Sequence, residues 1–386
     1  MPLKIPFAKV DCSGNELKYI QEVLNSGWLT TAGKAQLLEK KFSEYIGIKF
    51  ACAVNSCTAA LHLALEAIGI GPGDKVLVPS MTFTATAEVV RYLGADPVFC
   101  DVDYATRLVT PAILKDALAQ NPGIKAVMIL HFGGQAADMD AILPICRSRG
   151  VRIIEDAAHA FPAHRSGKWV GTFGDITCFS FYANKTITTG EGGMLVTDDE
   201  TLFKRCKVMR LHGIDRDIWN RFTTDESTWE YDVIAPGYKY NMADLNAAVG
   251  LAQLERVETM RQERQRCAMR YFELLRDCPH LDLPGLEVAM EDHSWHLFPV
   301  VLRSSAPVSR NRMIELLFEG GIGTSVHYKP LHRMSYYRER YGLQPEAFPN
   351  SERIWQGTLT LPIYPSLKTK EVEYISETLR VILSRT

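Results

Sequence analysis

The stretch KFACAVNSCTAALHLALEAIGIGPGDKVLVPS, residues 49–80, contains three elements of alternating character. KFACAVN is a short apolar run typical of a buried strand, and TAALHLALEAIGI has the apolar spacing of a helix. KVLVPS, which follows a segment rich in glycine and proline, predicts a second strand. Residues 49–80 therefore predict a strand, a helix and a strand in succession.

The same alternation continues to about residue 183. Further helices are predicted at AEVVRYLGA (87–95), PAILKDALAQ (111–120) and MDAILPICRSRG (139–150). Further strands are predicted at PVFCDVD (97–103), KAVMILHF (125–132), VRIIEDA (151–157) and ITCFSFYA (176–183). This alternation predicts an α/β fold in which helices cover both faces of a largely parallel sheet. Because ligands bind at the carboxyl ends of the strands in such sheets, functional residues should directly follow strands.

The pattern changes near Met242. The segment from MADLN to ELLRD (242–277) is amphipathic throughout and heavily charged in its second half, which predicts one long connecting helix. Beyond it we expect a strand, a helix, and a strand or its exit, at HLFPVVLR (296–303), SRNRMIELLFEGG (309–321) and GTSVHYKP (323–330). The sequence thus predicts a large domain (1–250), followed by the connecting helix and a smaller α+β domain (251–386). The N-terminal segment is a candidate to pack on the smaller domain.

The composition favours a globular protein that acts on small molecules. The chain has 386 residues, is 46% hydrophobic and has a formal net charge of -2 without a long basic run, which argues against nucleic-acid and anionic-membrane partners. No stretch is long and apolar enough to span a bilayer, and the N-terminus lacks a signal-peptide core, so we expect a cytoplasmic protein. The nine cysteines are scattered and form no CxxC pair, which argues against a disulfide framework and a structural metal site.

Lys185 lies in CFSFYANKTITTGEGGMLV (178–196), between an aromatic strand and a glycine cluster. A lysine in apolar surroundings can extend its ammonium group to solvent. Alternatively, a lysine in a dry pocket loses its proton more readily and becomes a nucleophile that forms a Schiff base with an aldehyde. Lys185 alone does not decide between these interpretations.

The first strand-to-helix junction is a candidate phosphate site. Ser56, Cys57 and Thr58 would lie at the amino end of a helix, where unpaired N–H groups attract phosphate, although helix capping explains the same residues. The known phosphate-loop patterns are missing, because GIGPGDK (69–75) lacks the GxGxxG spacing and no GxxxxGK[ST] occurs. GEGG (190–193) is compatible with a tight turn between two strands.

The exit of another predicted strand provides acid–base candidates. VRIIEDAAHAFPA (151–163) delivers Glu155, Asp156 and His159, and a carboxylate there can act as a general base or hold a proton on a bound heterocycle. A helix-capping aspartate and a core histidine are the structural alternative. Together, an aldehyde-capturing lysine, a phosphate seat and a carboxylate for a pyridinium nitrogen supply the contacts that pyridoxal phosphate requires.

Six stretches, in order along residues 27–256, resemble the motif series of the DegT/DnrJ/EryC1/StrS family of pyridoxal-phosphate-dependent nucleotide-sugar aminotransferases. They are GWLTTAGK, NSCTAALHLAL, PSMTFTATAEVV, IIEDAAHA, FSFYANKTITTGEGGML and GYKYNMADLNAAVGLAQLER, and GIGTSVHYKPLH (321–332) extends the resemblance towards the C-terminus. The resemblance implies aminotransferase fold type I, with a large domain of mostly parallel mixed sheet between helices and a smaller α+β C-terminal domain.

The resemblance also implies roles for individual residues. Lys185 matches the lysine that forms the Schiff base with the cofactor, and Asp156 matches the carboxylate that pairs with its pyridine nitrogen. Phe83 matches the aromatic side chain that stacks on the ring, and His159 matches a position beside the 3-hydroxyl group. The phosphate seat is matched by Ser56, Cys57, Thr58 and Ser180.

Members of the family form a homodimer in which a segment of the partner subunit completes each cofactor site. GYKYN (237–241) stands where many members have GYNYR, so that Lys239 replaces an asparagine that donates to the phosphate and Asn241 replaces an arginine. A lysine still suits a phosphate as a point charge. Thr30, His327 and Tyr328 match positions near the cofactor mouth, where a sugar would bind, and they could equally be structural polar groups.

The implied reaction is a two-stage transfer of an amino group from an amino acid, expected to be glutamate, to a keto-sugar. TITTGEGG (186–193) resembles members that aminate C4, and GYKYN, WHLF (295–298) and HYKPLHRMSYYRERYG (327–342) resemble most the branch that makes UDP-4-amino-4-deoxy-L-arabinose. We therefore expect a UDP-linked 4-keto sugar. A 3-keto sugar or a cyclitol, and a regulatory protein that binds the cofactor without turnover, remain as alternatives. Lys185 argues against a sugar 3-dehydratase, which has histidine there.

Overall fold

The computed structural model describes residues 4–215 and 231–384. The helices in these ranges are α1 (Glu16–Ser26), α2 (Gly33–Ile46), α3 (Cys57–Ala67), α4 (Ala85–Tyr92), α5 (Pro111–Gln120), α6 (Met139–Arg147), α7 (Glu200–Met209), α8 (Asp244–Leu254), α9 (Val257–Leu275), α10 (Arg310–Glu319), α11 (Ser335–Tyr341), α12 (Pro349–Gly357) and α13 (Thr369–Leu383). The strands are β1 (Phe50–Val54), β2 (Lys75–Pro79), β3 (Asp96–Cys100), β4 (Ile124–Leu130), β5 (Arg152–Asp156), β6 (His164–Arg165), β7 (Lys168–Trp169), β8 (Ile176–Ser180), β9 (Gly193–Thr197), β10 (Leu281–Asp282), β11 (Phe298–Leu302) and β12 (Thr358–Leu361).

The large sheet has seven strands in the order β1-β9-β8-β5-β4-β2-β3. The pairs among β8, β5, β4, β2 and β3 are parallel, whereas β9 is antiparallel to both of its neighbours. The predicted α/β fold with a mostly parallel sheet is therefore confirmed. Six strands, β1, β2, β3, β4, β5 and β8, end at the same edge of this sheet, and β9 begins there.

The second sheet is antiparallel and has the order β10-β11-β12. Its buried side chains pack with those of α9, α10 and α13, and the cluster includes Ile5 from the N-terminal segment. Ile5 exchanges backbone hydrogen bonds with Gly321 and Gly323, with N···O distances of 2.8 Å. The N-terminal segment thus lies on the C-terminal part of the chain, while the expected domain boundary at residue 250 stays a prediction.

The segment expected to form one long helix contains two. α8 ends at Leu254 and α9 begins at Val257, because Arg256 leaves the helical conformation with φ -116°. Side chains of the N-terminal segment bind at this break: Asn15 donates to Glu255 at 2.8 Å, and Arg256 donates to Asp11 at 3.0 Å. The prediction of a single helix was wrong because these contacts come from residues more than 200 positions away.

GTSVHYKP forms no regular strand, and only Ser325 makes an isolated bridge, to Thr360 in β12. In residues 4–215 and 231–384, no helix combines the length and the apolar character that crossing a membrane requires.

Candidate active site

A cavity of about 420 Å³ lies at the edge of the large sheet where the carboxyl ends of the strands meet. Ten of the residues singled out in the sequence line it: Ser56, Cys57, Thr58, Phe83, Asp156, His159, Ser180, Lys185, His327 and Tyr328. They come from the ends of strands in the large sheet, from the segments that follow those strands, and from the segment that follows α10. The topology of the sheet thus brings together side chains that are up to 272 positions apart in the sequence.

Lys185 lies in the loop between β8 and β9. Its N–H donates to the carbonyl of Tyr182 at 2.9 Å, which closes a tight turn, and its amine lies 3.4 Å from Nε2 of His296. Burial lowers the pKa of Lys185 to about 8, and the negative charge of Asp156 opposes this shift. About a tenth of the amine is therefore neutral at pH 7, and the neutral amine is the form that attacks an aldehyde.

Asp156 is the last residue of β5 and is buried. Its Oδ2 accepts the hydroxyl of Thr86 at 2.8 Å, and its Oδ1 accepts the N–H of Ala158 at 3.1 Å. Burial raises the pKa of Asp156, while these hydrogen bonds and the nearby Lys185 work in the opposite direction. A carboxylate that is desolvated in this way is suited to pair with a cationic group that enters the cavity.

The amino end of α3 forms another part of the cavity wall. Ser56 caps the helix, because its hydroxyl accepts the N–H of Ala59 at 3.0 Å, and the N–H groups of Cys57 and Thr58 belong to the first turn and have no intrahelical acceptor. Gly193 permits this arrangement, since a Cβ there would lie 2.7 Å from the backbone nitrogen of Cys57. Capping and anion binding are therefore compatible at this helix.

His159 and Tyr328 form a hydrogen-bonded pair, with 2.9 Å between Nε2 and the hydroxyl. Nδ1 of His159 accepts the N–H of Gly133 at 3.3 Å, so a neutral ring has its proton on Nε2 and donates it to Tyr328. Burial keeps the pKa of His159 well below its usual value, and the positive charge of Lys185 acts in the same direction. The hydroxyl hydrogen of Tyr328 then remains available to an acceptor in the cavity.

Three of the sequence candidates do not line this cavity: Thr30, Lys239 and Asn241. The carbonyl of Thr30 accepts the N–H of Asp244 at 3.4 Å, and the side chain of Asn241 donates to the hydroxyl of Thr31 at 2.6 Å. Lys239 is exposed. The expected contribution of Lys239 and Asn241 to a second subunit's site involves two chains and stays a prediction.

The cavity also contains residues that the sequence did not single out: Tyr182, Asn184, Glu191 and His296. Asn184 is adjacent to Lys185, and Glu191 is the charged residue of the glycine cluster, so their positions in the sequence were a usable signal. His296 belongs to WHLF, which had served only as a marker of a family branch. His296 lies near Lys185 only in the folded chain, because the two residues are 111 positions apart in the sequence.

The donor set fits pyridoxal phosphate. An amine of lowered pKa, a desolvated carboxylate, first-turn N–H groups and the exposed ring of Phe83 surround one cavity, and these are the contacts that an aldehyde, a pyridinium, a phosphate and an aromatic ring require. The geometry therefore defines a candidate site for a pyridoxal-phosphate enzyme.

Comparisons with known proteins agree with this class. Residues 11–380 match the DegT/DnrJ/EryC1/StrS aminotransferase family. The chain is 44% identical to the spore coat polysaccharide biosynthesis protein SpsC of Bacillus subtilis, over 98% of this chain and 97% of that protein. It is similar to the putative sugar aminotransferase Spr1654 of Streptococcus pneumoniae in its PLP form, with a TM-score of 0.90, 29% identity and 99% of both chains covered.

Two more structural similarities are informative. The PMP form of Spr1654 is similar with a TM-score of 0.91, 30% identity, and 99% of this chain and 100% of that chain covered. PseC of Helicobacter pylori, an aminotransferase involved in the biosynthesis of pseudoaminic acid, has a TM-score of 0.91, 25% identity and 100% of both chains covered.

The fold and these similarities define a pyridoxal-phosphate-dependent aminotransferase. The chain belongs to the DegT/DnrJ/EryC1/StrS aminotransferase family, and it is a sugar aminotransferase of amino-sugar or polysaccharide biosynthesis.

Proposed function

We propose that the chain transfers the amino group of glutamate to C4 of a UDP-linked keto-sugar, in two half-reactions that both use Lys185 and Asp156. The observation that carries the proposal is the convergence of three groups on one cavity: the Lys185 amine, the Asp156 carboxylate and the amino end of α3. This arrangement supports the reaction type, whereas C4, UDP and glutamate rest on the motif resemblance.

Each of these groups has a distinct task in the proposal. When bound, pyridoxal phosphate supplies the aldehyde that takes up the amino group and the ring that withdraws electrons from the reacting carbon. Nζ of Lys185 would accept the proton that leaves the donor's α-carbon and would later return a proton to the sugar carbon. Asp156 would hold a proton on the ring nitrogen, and the ring of Phe83 would contact the aromatic part of the cofactor.

A second copy of the chain would complete the site. In residues 4–215 and 231–384, Lys185 is the one cationic side chain in the cavity wall, which also contains Asp156 and Glu191. A phosphate bound in this cavity would have few positive charges near it, and Lys239 of a second copy would provide a further positive charge. Val233 and Ile234, which precede Lys239 by six and five positions in the sequence, are 53% and 56% exposed. Apolar exposure of this kind supports an interface with another protein chain.

The sugar nucleotide would enter from the mouth of the cavity. Phe83 and Tyr182 line the cavity and are 57% and 49% exposed, so they lie where the cavity opens. A cavity of about 420 Å³ has the size of a small-molecule site, and a bound cofactor leaves little of it for a nucleotide. We therefore infer that the sugar ring reaches past His327 and Tyr328 while the nucleotide stays at the mouth. The cytoplasmic location expected from the sequence stays a prediction.

The proposal is tested by following the visible absorption of the purified protein with its cofactor. Glutamate is added first, and then UDP-linked 4-keto sugars, a UDP-linked 3-keto sugar and scyllo-inosose are added separately. We expect glutamate to remove the absorption of the aldehyde form and a UDP-linked 4-keto sugar to restore it. Restoration by only the 3-keto sugar or the cyclitol would contradict amination at C4. A spectrum that no amino acid changes would contradict the transfer reaction.

A further inference from the structure

The segment that leads into β11 is fixed against the turn that follows β4. The N–H of Ser294 donates to the carbonyl of Gly134 at 2.9 Å, and the N–H of Leu297 donates to the carbonyl of Gly133 at 3.0 Å. Gly134 has φ +121°, and a Cβ there would lie 2.9 Å from the backbone nitrogen of Trp295. Because glycine is required for this close approach, the position of the segment at the cavity is built into both elements.

Trp295 has an unusual backbone conformation. Its φ is +51°, in the left-handed region that large side chains rarely adopt, and its side chain is fully buried. The conformation is held by local contacts, since its N–H donates to Nδ1 of His293 at 2.8 Å and its indole N–H donates to the carbonyl of Met290 at 2.9 Å. Such strain persists where surrounding contacts impose it and is concentrated at functional sites. The next residue along the chain is His296.

His296 lines the cavity and is 4% exposed. Nε2 lies 3.4 Å from Nζ of Lys185, which is the one side-chain hydrogen bond of either residue in the part of the chain that the structure describes. Nδ1 is buried there without a partner. When the Lys185 amine donates to this ring, Nε2 is unprotonated and the ring proton is on Nδ1. A buried Nδ1–H without an acceptor is unfavourable, so packing alone does not explain the ring, and the contact with Lys185 has to offset that cost.

The surroundings of His296 keep its ring neutral. The titratable and charged groups that face it are Lys185, the rings of His159 and His327, and Arg264 on α9, which donates to the carbonyl of Trp295 at 3.4 Å. The His159 ring is closest among the aromatic groups, with 4.7 Å between ring centroids. None of these groups is an acid, so His296 is suited to accept a hydrogen bond and not to become a cation.

We propose that His296 is a positioning residue for Lys185: its Nε2 accepts one N–H of the lysine amine and thereby fixes the rotation of the amine in the cavity. One N–H is then engaged, and the lone pair and the remaining N–H serve the reacting atoms. The inference rests on the proposed function, since it takes Lys185 as the reactive lysine.

The test compares the rates at which glutamate converts the holoenzyme in a single turnover, measured over a range of glutamate concentrations. H296F keeps an aromatic ring of similar size but has no acceptor, and H296Q keeps an acceptor oxygen. H62F is the matched control, because His62 is also a buried ring with one hydrogen-bonded nitrogen and one unpartnered nitrogen, and it does not contact Lys185. Thermal unfolding of each variant reports damage to the fold itself, and H296L replaces H296F if the phenylalanine variant does not fold.

We expect H296F to lower the limiting rate about 10-fold to 100-fold without changing the glutamate concentration at half the limiting rate, because misplacement of a catalytic group affects the chemical step. H296Q should recover to within about fivefold of the wild-type rate, and H62F should stay within about threefold even if it unfolds at a lower temperature. A limiting rate for H296F within threefold of wild type, or one for H296Q as low as that of H296F, would overturn the inference. Turnover by K185A would instead overturn the proposed function.

Discussion

The hydroxyl of Thr86 donates to Oδ2 of Asp156 at 2.8 Å and itself interacts with the hydroxyl of Thr82 at 2.7 Å. Both threonines are buried, and they fix a carboxylate that burial disfavours as an anion. The floor of the cavity thus contains a negative charge that is oriented before any ligand binds. This orientation leads to the first prediction.

Removing the charge of Asp156 should lower kcat more than removing the hydrogen bond that Asp156 accepts from Thr86. We expect D156N to lower kcat about 100-fold to 10,000-fold, because a neutral amide no longer stabilises a protonated ring nitrogen. T86V, which preserves the shape of the side chain but removes its hydrogen bond to Asp156, should lower kcat about 10-fold. Steady-state kinetics of both variants show which change lowers kcat more. An effect of T86V equal to that of D156N would contradict the prediction.

Glu155, on the other face of β5, should govern stability in acid. Its carboxylate accepts from His131 at 2.8 Å, Thr177 at 2.6 Å and the N–H of Gly174 at 2.7 Å. Burial raises its pKa, but the hydrogen bonds from His131 and Thr177 outweigh burial and leave the pKa below its ordinary value of 4.5. As the pH falls, Glu155 therefore binds a proton more readily in the unfolded chain than in the folded one. The stability that the Glu155 carboxylate contributes is fully present above pH 4.5 and is lost as the pH falls through its folded-state pKa.

We expect E155Q to lower the free energy of unfolding by about 2–4 kcal/mol near pH 7. Its stability should also fall less steeply than that of wild type as the pH drops below 4.5. Denaturant unfolding at several pH values provides the measurement. Parallel acid profiles for the two proteins would show that Glu155 does not contribute to the acid dependence.

Capture of the cofactor should depend on pH through Lys185. Burial lowers the pKa of its amine to about 8 from the ordinary value of 10.5, and only the neutral amine attacks an aldehyde. The rate at which the cofactor-free protein takes up pyridoxal phosphate should rise about tenfold per pH unit below the midpoint and level off above it. Stopped-flow absorbance gives the midpoint, and a value near 10.5 would contradict the desolvation of Lys185.

Shared sites in a homodimer predict complementation between variants. If Lys239 of one copy serves the site that contains Lys185 of the other, a dimer of K185A and K239A has one intact site. Random mixing of the two inactive proteins should then restore about a quarter of wild-type activity. A mixture of K185A and D156N is the matched control, because both changes affect the same subunit's residues and no mixed dimer has an intact site. Equal activity of the two mixtures would contradict shared sites.

Much of the large sheet follows from local patterns. The predicted helix at residues 111–120 coincides with α5, because Thr110 caps it and Pro111 occupies its first turn, both of which are local signals. The interruption between α8 and α9 at Arg256 does not follow from local patterns. It has neither glycine nor proline and results from side chains of Asp11 and Asn15, so only the folded chain reveals it.

The same distinction applies to the cavity. Asp156 ends β5 and Lys185 lies in the loop after β8, and the rule for parallel sheets places such residues at one edge. His296 was missed because its position depends on the left-handed Trp295 and on the close approach of Gly134, neither of which leaves a periodic signal. Thr86 was missed for a related reason, since its contact with Asp156 spans 70 positions.

The most direct test of the central claim is the turnover of K185A, measured together with its cofactor content. K204A is the control, because Lys204 is exposed on α7 and pairs only with Glu200 among the residues that the structure describes. We predict that K185A folds, still binds the cofactor or its amine form, and loses at least about 1,000-fold in turnover, while K204A matches wild type. Substantial turnover by K185A, in protein that has bound cofactor, would contradict the account.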